Sequence, residues 1–102
     1  MKQHQFKTMN GKVADILSQH PECRDDDRLL VVNIWYAEML GQNIEPTKIS
    51  AKGFFNLYAN EKLPIADLIT RARRKVQEEN PKLRGNTWET RHKEEEKVRK
   101  YI

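Results

Sequence analysis

Apolar residues along this chain recur at the three-and-four spacing of helices, and no stretch alternates apolar and polar as a half-buried strand would. Val13, Ile16 and Leu17 share one face and predict a first helix over Gly11 to His20. Thr8 or Asn10 suits its N-cap, and Pro21 ends it, because the residue before proline avoids the helical region. The aspartates Asp25, Asp26 and Asp27 favour a helix start by capping and by the macrodipole. A second helix is therefore expected from Asp26 to Leu40, with Gly41 as its C′ residue. Its apolar residues, from Leu29 to Leu40, wrap most of the circumference, which predicts a central helix covered on several sides.

A third helix is expected over Thr47 to Asn60 on Ile49, Phe54, Phe55, Leu57 and Tyr58. Gly53 lies inside it and costs about 1 kcal/mol relative to alanine. After the turn at Leu63-Pro64, a fourth helix runs from Pro64 or Ile65 to Asn80, with Ile65, Leu68, Ile69, Ala72 and Val76 as its buried stripe. Gly85-Asn86 breaks the pattern. A plain loop is favoured there over a short two-stranded wing at residues 82–89. Trp88 to Ile102 reads as a solvated helix with Glu95–Arg99 and Glu96–Lys100 pairs. The expected fold class is all-α: a small bundle of four to five helices, the third and fourth forming a helix-turn-helix-like pair. The expected organisation is a flexible N-terminus over residues 1–8, one helical domain over 9–87 and a charged C-terminal helix over 88–102.

Composition narrows the classes. With 102 residues the chain suits one domain, and 33% charged against 37% hydrophobic residues leaves charge outside a small core. The lone Cys23 forms no internal disulfide, and no apolar run approaches the ~20 residues of a membrane span. A cytoplasmic protein without a membrane role is the expectation. Residues 1–45 hold 5 Lys/Arg and 7 Asp/Glu, whereas residues 46–102 hold 14 and 8, a net of −2 against +6. This asymmetry points to an anionic partner for the C-terminal half, nucleic acid or an acidic protein.

The candidate chemistry lies in the fourth helix. With its apolar stripe inward, Thr70, Arg71, Arg73, Arg74, Lys75 and Gln77 spread over the other faces, and Lys82 and Arg84 follow. Guanidinium groups clamp phosphate oxygens or bridge guanine edges, while Thr70 and Gln77 suit base edges or the backbone. Together these eight residues are the expected nucleic-acid contacts, with duplex DNA favoured. A solvated face with Arg74–Glu78 pairing is the plainer alternative. The run from Thr70 to Gly85, followed by Trp88 and a charged helix, resembles small proteins encoded by phages and prophages of Gram-positive bacteria. That resemblance covers about the last 40 residues. It implies a phage origin, a DNA-related or host-directed role, and no catalytic motif.

Other chemistry is thinly represented. His20 and Cys23 lack the further ligands of a zinc site, Cys23 sits in an acidic stretch that disfavours a thiolate, and no two glycines form a phosphate loop. No catalytic residue, cofactor or metal is expected. Trp35, Tyr36, Phe54, Phe55 and Tyr58 fit core packing better than strand-stacking platforms. The first expectation is thus a non-enzymatic phage DNA-binding accessory or regulatory protein. The alternative is an inhibitor of a host protein, such as a defence nuclease, acting through Asp25–Asp27 or the terminal helix. A third, structural reading is a subunit of a larger assembly, with a homodimer paired through the terminal helix.

Overall fold

The computed structural model describes residues 8–88 and 90, and among them every regular element is helical. The described residues hold four complete α-helices: α1 (Met9–Gln19), α2 (Asp27–Gly41), α3 (Ala51–Ala59) and α4 (Ala66–Glu79). Single turns of tighter helix follow α1 at Pro21–Arg24 and α4 at Pro81–Leu83. The expected all-α bundle is what the chain forms. Residues 82–88 make no wing strand; most of the expected terminal helix lies outside the described residues.

Caps fix the boundaries. The Thr8 hydroxyl accepts from the Gly11 amide at 3.1 Å, which starts α1 two residues earlier than the apolar pattern suggested. The Asp26 carboxylate accepts from the Leu29 amide at 3.1 Å and starts α2. Ser50 caps α3 by accepting from Gly53 at 3.0 Å, so the helix starts at Ala51 rather than at the expected Thr47. Gly53 has a packing reason: a Cβ there would stand 2.9 Å from the Ile49 side chain.

Helix α2 runs through Gly41 with Gln42 as its C-cap, and Asn43 rather than Gly41 is the C′ residue. Asn43 adopts the left-handed conformation (φ 62°), and the amides of Asn43 and Ile44 donate to Leu40 at 3.0 Å and Met39 at 2.9 Å. The same pattern ends α3. Glu61 has φ 59°, and the Glu61 and Lys62 amides donate to Tyr58 at 3.1 Å and Leu57 at 2.9 Å. Neither end uses glycine, so the signal usually sought for this turn is missing from the sequence.

The core is built by three helices: Val13 and Leu17 from α1, Leu30, Val31 and Ile34 from α2, and Ile69, Ala72 and Val76 from α4, with Cys23 between them. The Lys12 ammonium bridges α1 to α2 at Glu38, 2.7 Å away. Helix α3 stands apart and buries none of its residues. It is attached through Trp35, whose ring meets Phe54 at 5.4 Å and Tyr58 at 5.7 Å edge-on. The Trp35 indole N–H donates to the Pro64 carbonyl at 2.6 Å, and extended Ile65 is the N-cap, so α4 starts at Ala66 rather than at Pro64 or Ile65. The turn between α3 and α4 is present, yet the faces α4 buries lie against α1 and α2.

Candidate functional site

Helix α4 is rotated from the orientation its apolar residues imply. Its buried positions are Ile69, Ala72, Arg73, Val76 and Gln77, a regular i, i+3, i+4, i+7, i+8 set, while Ile65 and Leu68 are exposed. Two of the eight expected nucleic-acid contacts are therefore inside. Arg73 is 4% and Gln77 0% exposed. This corrects their placement as outward readers.

Both are buried because their polar atoms are matched. The Arg73 Nε lies 3.1 Å from Asp27 Oδ1, and its terminal nitrogen donates to Gln77 Oε1 at 3.1 Å. The Gln77 amide nitrogen donates to the carbonyls of Arg24 and Leu83, each at 3.1 Å. Arg24 in turn donates to the Leu17 carbonyl at 2.8 Å. A polar spine thus ties α1, α2, α4 and the Pro81–Leu83 turn together.

Arg84 is drawn into the same work. Its Nε and one terminal nitrogen donate to the Gln77 and Glu78 carbonyls at 2.6 and 2.9 Å, closing the C-terminus of α4. Its guanidinium also lies 3.9 Å from the centre of the Trp88 ring. Thr70 is half-buried and donates to the Asp67 carbonyl at 3.1 Å, and Arg74 is half-buried. Exposed cations remain at Arg71, Lys75 and Lys82. Arg71 pairs with Asp67 at 2.9 Å and Lys75 with Glu79 at 3.2 Å, both one turn apart on the helix. The outward face of α4 is a mixed-charge, solvated face.

The three aspartates are likewise occupied. Asp25 accepts from the Asn86 and Thr87 amides, each at 2.9 Å, and from the Thr87 hydroxyl at 2.7 Å. Asp26 caps α2, and Asp27 holds Arg73. All three therefore have structural work, while Asp25 and Asp26 stay exposed.

The feature that sequence reasoning under-weighted lies at α3. Phe55 is 65% exposed, and Tyr58 is also exposed. Together with Trp35, Phe54 and Ala59 they line an open apolar groove of about 320 Å³. Lys52 stands one turn before Phe55, and α3 carries no acidic residue. The only hint in the sequence was that the apolar residues of α3 outnumber what one buried face requires.

Comparison with protein-family models, curated proteins and solved structures finds no match to this chain.

Cys23 is buried, with the Asn33 amide 3.6 Å from its sulfur. Burial pushes its thiol up from the ordinary value, and the carboxylates of Glu22 and Asp26 add to the shift. That disfavours the thiolate a nucleophile or metal ligand needs. Among the described residues no three His, Cys, Asp or Glu side chains are grouped to hold a metal ion, and no helix is long and apolar enough to cross a membrane.

Proposed function

We propose that this protein is a non-enzymatic binding module that docks an apolar, acid-flanked segment of another protein in the α3 groove. The observation that carries this reading is Phe55, 65% exposed on a helix that buries none of its own residues. Exposed aromatic side chains around a concave, uncharged surface are the usual anchors of protein interfaces. Lys52, with the exposed Lys48 and Lys62 nearby in sequence, favours acidic residues beside the inserted apolar ones. Were the expected phage origin to hold, a host protein would be the partner class, as for an inhibitor of a host enzyme.

Nucleic-acid contact is the competing reading, favoured by the net charge of +4 and the exposed Arg71, Lys75 and Lys82. Selection from a displayed peptide library separates the two. Wild type should enrich peptides with a large apolar residue next to Asp or Glu, and Phe55→Glu should lose that enrichment while melting as wild type does. No such consensus, together with duplex binding that Arg71→Ala and Lys75→Ala abolish, would replace this reading with the nucleic-acid one.

A further inference from the structure

Helix α2 has two apolar faces. Leu30, Val31 and Ile34 enter the core, while Leu29, Val32, Tyr36 and Leu40 on the opposite side are exposed. At 100° per residue these four fall within a stripe about 80° wide. A solvated helix face normally carries charge, as α4 does with Asp67, Arg71, Lys75, Glu78 and Glu79. From Leu29 to Gly41, α2 has one charged residue, Glu38, and Lys12 holds it at 2.7 Å on the core side. One flank of the stripe is Asn33 and then Ala37, and Asn33 turns its amide back to the Leu29 carbonyl at 2.8 Å. The surface is uncharged, low at its edge and open.

We infer that this stripe is the interface of a homodimer in which two α2 helices cross antiparallel about a two-fold axis. Its spacing is self-complementary. Leu29 and Leu40 stand at the ends and Val32 and Tyr36 near the middle. An axis near Ile34 therefore sets Leu29 of one copy against Leu40 of the other, and Val32 against Tyr36. Charge fixes the direction. A parallel pair would bring together the two N-terminal ends with Asp25, Asp26 and Asp27. The antiparallel pair separates them. It also places exposed Arg28 of one copy at the C-terminal end of the other α2, whose last turn has no basic residue and which exposed Glu45 follows. A second copy presents the matching apolar pattern and, at each end, the cation that the C-terminal end of α2 lacks. Trp35 projects about 100° away from Tyr36 around the helix, toward α3, so this interface leaves the aromatic groove open and does not depend on the function proposed for it.

Sedimentation of the full chain over about 5–200 µM, a range suited to a small helix-pair interface, tests the inference. A monomer–dimer equilibrium is expected, weakened at least tenfold by Tyr36→Lys with Leu40→Lys. Both positions are exposed, so these variants should keep the helical spectrum of wild type. Cross-linking reports direction independently. Leu29→Cys mixed with Leu40→Cys should form the mixed disulfide in preference to either homodimer, with the buried Cys23 inert. A chain that stays monomeric throughout, a dimer unaffected by the lysines, or a predominance of the Leu29→Cys homodimer would each overturn the antiparallel α2 interface.

Discussion

The guanidinium of Arg73 lies 3.1 Å from the carboxylate of Asp27, joining the middle of α4 to the first turn of α2 across 46 residues of chain. Arg73 is 4% exposed, so the pair is one-sided: the cation is buried and the carboxylate half-buried. Removing the arginine takes away its buried bonds to Asp27 and Gln77 and leaves a gap in the core-facing side of α4. Arg73→Ala should therefore destabilise by about 3 kcal/mol, whereas Arg71→Ala on the solvated face should cost about 0.5 kcal/mol or less. Denaturant unfolding of the two variants checks the contrast. Equal losses would mean that Arg73 is not the internal tie.

Gly85 and Asp25 form a second coupled pair. A Cβ at Gly85 would run into the Asp25 carboxylate, which is held there by the Asn86 and Thr87 amides. Gly85→Ala should cost about 1–3 kcal/mol, as overpacking does. In an Asp25→Ala background most of that cost should vanish. A double-mutant cycle on thermal unfolding measures the coupling, and additive losses would show that the two positions do not meet.

Much of the fold follows from the sequence because helical spacing, prolines and caps act locally. The four helices, the end of α1 at Pro21 and the capping role of the aspartates come from neighbours in the chain. The misread parts depend on distant partners. Nothing near Arg73 indicates that Asp27 and Gln77 will satisfy its guanidinium, so a hydropathy pattern places it outside. Ile65 and Leu68 attract the apolar stripe to themselves, yet Leu68 stands about 100° around α4 from the buried Ile69 and Ile65 only caps the helix, so both are exposed. The aromatic residues of α3 read as core by spacing alone. Exposure of Phe55 is a property of how the helices assemble, and the groove was legible only as a surplus of apolar positions.

The left-handed turn at Glu61 offers a gain. A residue with a Cβ at φ 59° carries strain that glycine relieves. Glu61→Gly should keep the closing bonds of Glu61 and Lys62 to α3 and stabilise by about 1 kcal/mol, raising Tm by about 4–8 °C in a domain of this size. Calorimetry decides; a fall in Tm would mean that glycine's entropy in the unfolded chain outweighs the relief.

Cys23 should be unreactive in the folded protein. Its thiol is raised by burial and by the nearby carboxylates. Linkage then has a definite sign. The contribution to stability is fully present below the ordinary thiol value of about 8.5 and is lost as pH rises through the raised folded value. Iodoacetamide at pH 7.5 should modify the unfolded chain quickly and the native chain slowly. The stability advantage of wild type over Cys23→Ala should be smaller at pH 10 than at pH 7. Rapid native alkylation at neutral pH would show an accessible thiolate.

Salt separates the two modes of binding. A contact that neutralises several phosphates releases as many counterions, so affinity falls by orders of magnitude between about 50 and 200 mM salt. Insertion of an apolar side chain among Trp35, Phe54, Phe55 and Tyr58 releases none, and flanking lysines contribute only a screened surface term. A groove-binding peptide found by display should therefore lose less than about tenfold in affinity over that range. It should bind Arg71→Ala with Lys75→Ala as it binds wild type, and it should fail on Phe55→Glu. Reversal of Asp25, Asp26 and Asp27 to lysine is a poor probe of an acidic docking surface. It removes the latch to Thr87, the cap of α2 and the partner of Arg73 together, so it should unfold the chain. Titration calorimetry at two salt concentrations with the Phe55 and Arg71/Lys75 variants is the decisive set. Steep salt dependence that tracks the arginine–lysine variant and ignores Phe55 would move the working surface from α3 back to α4.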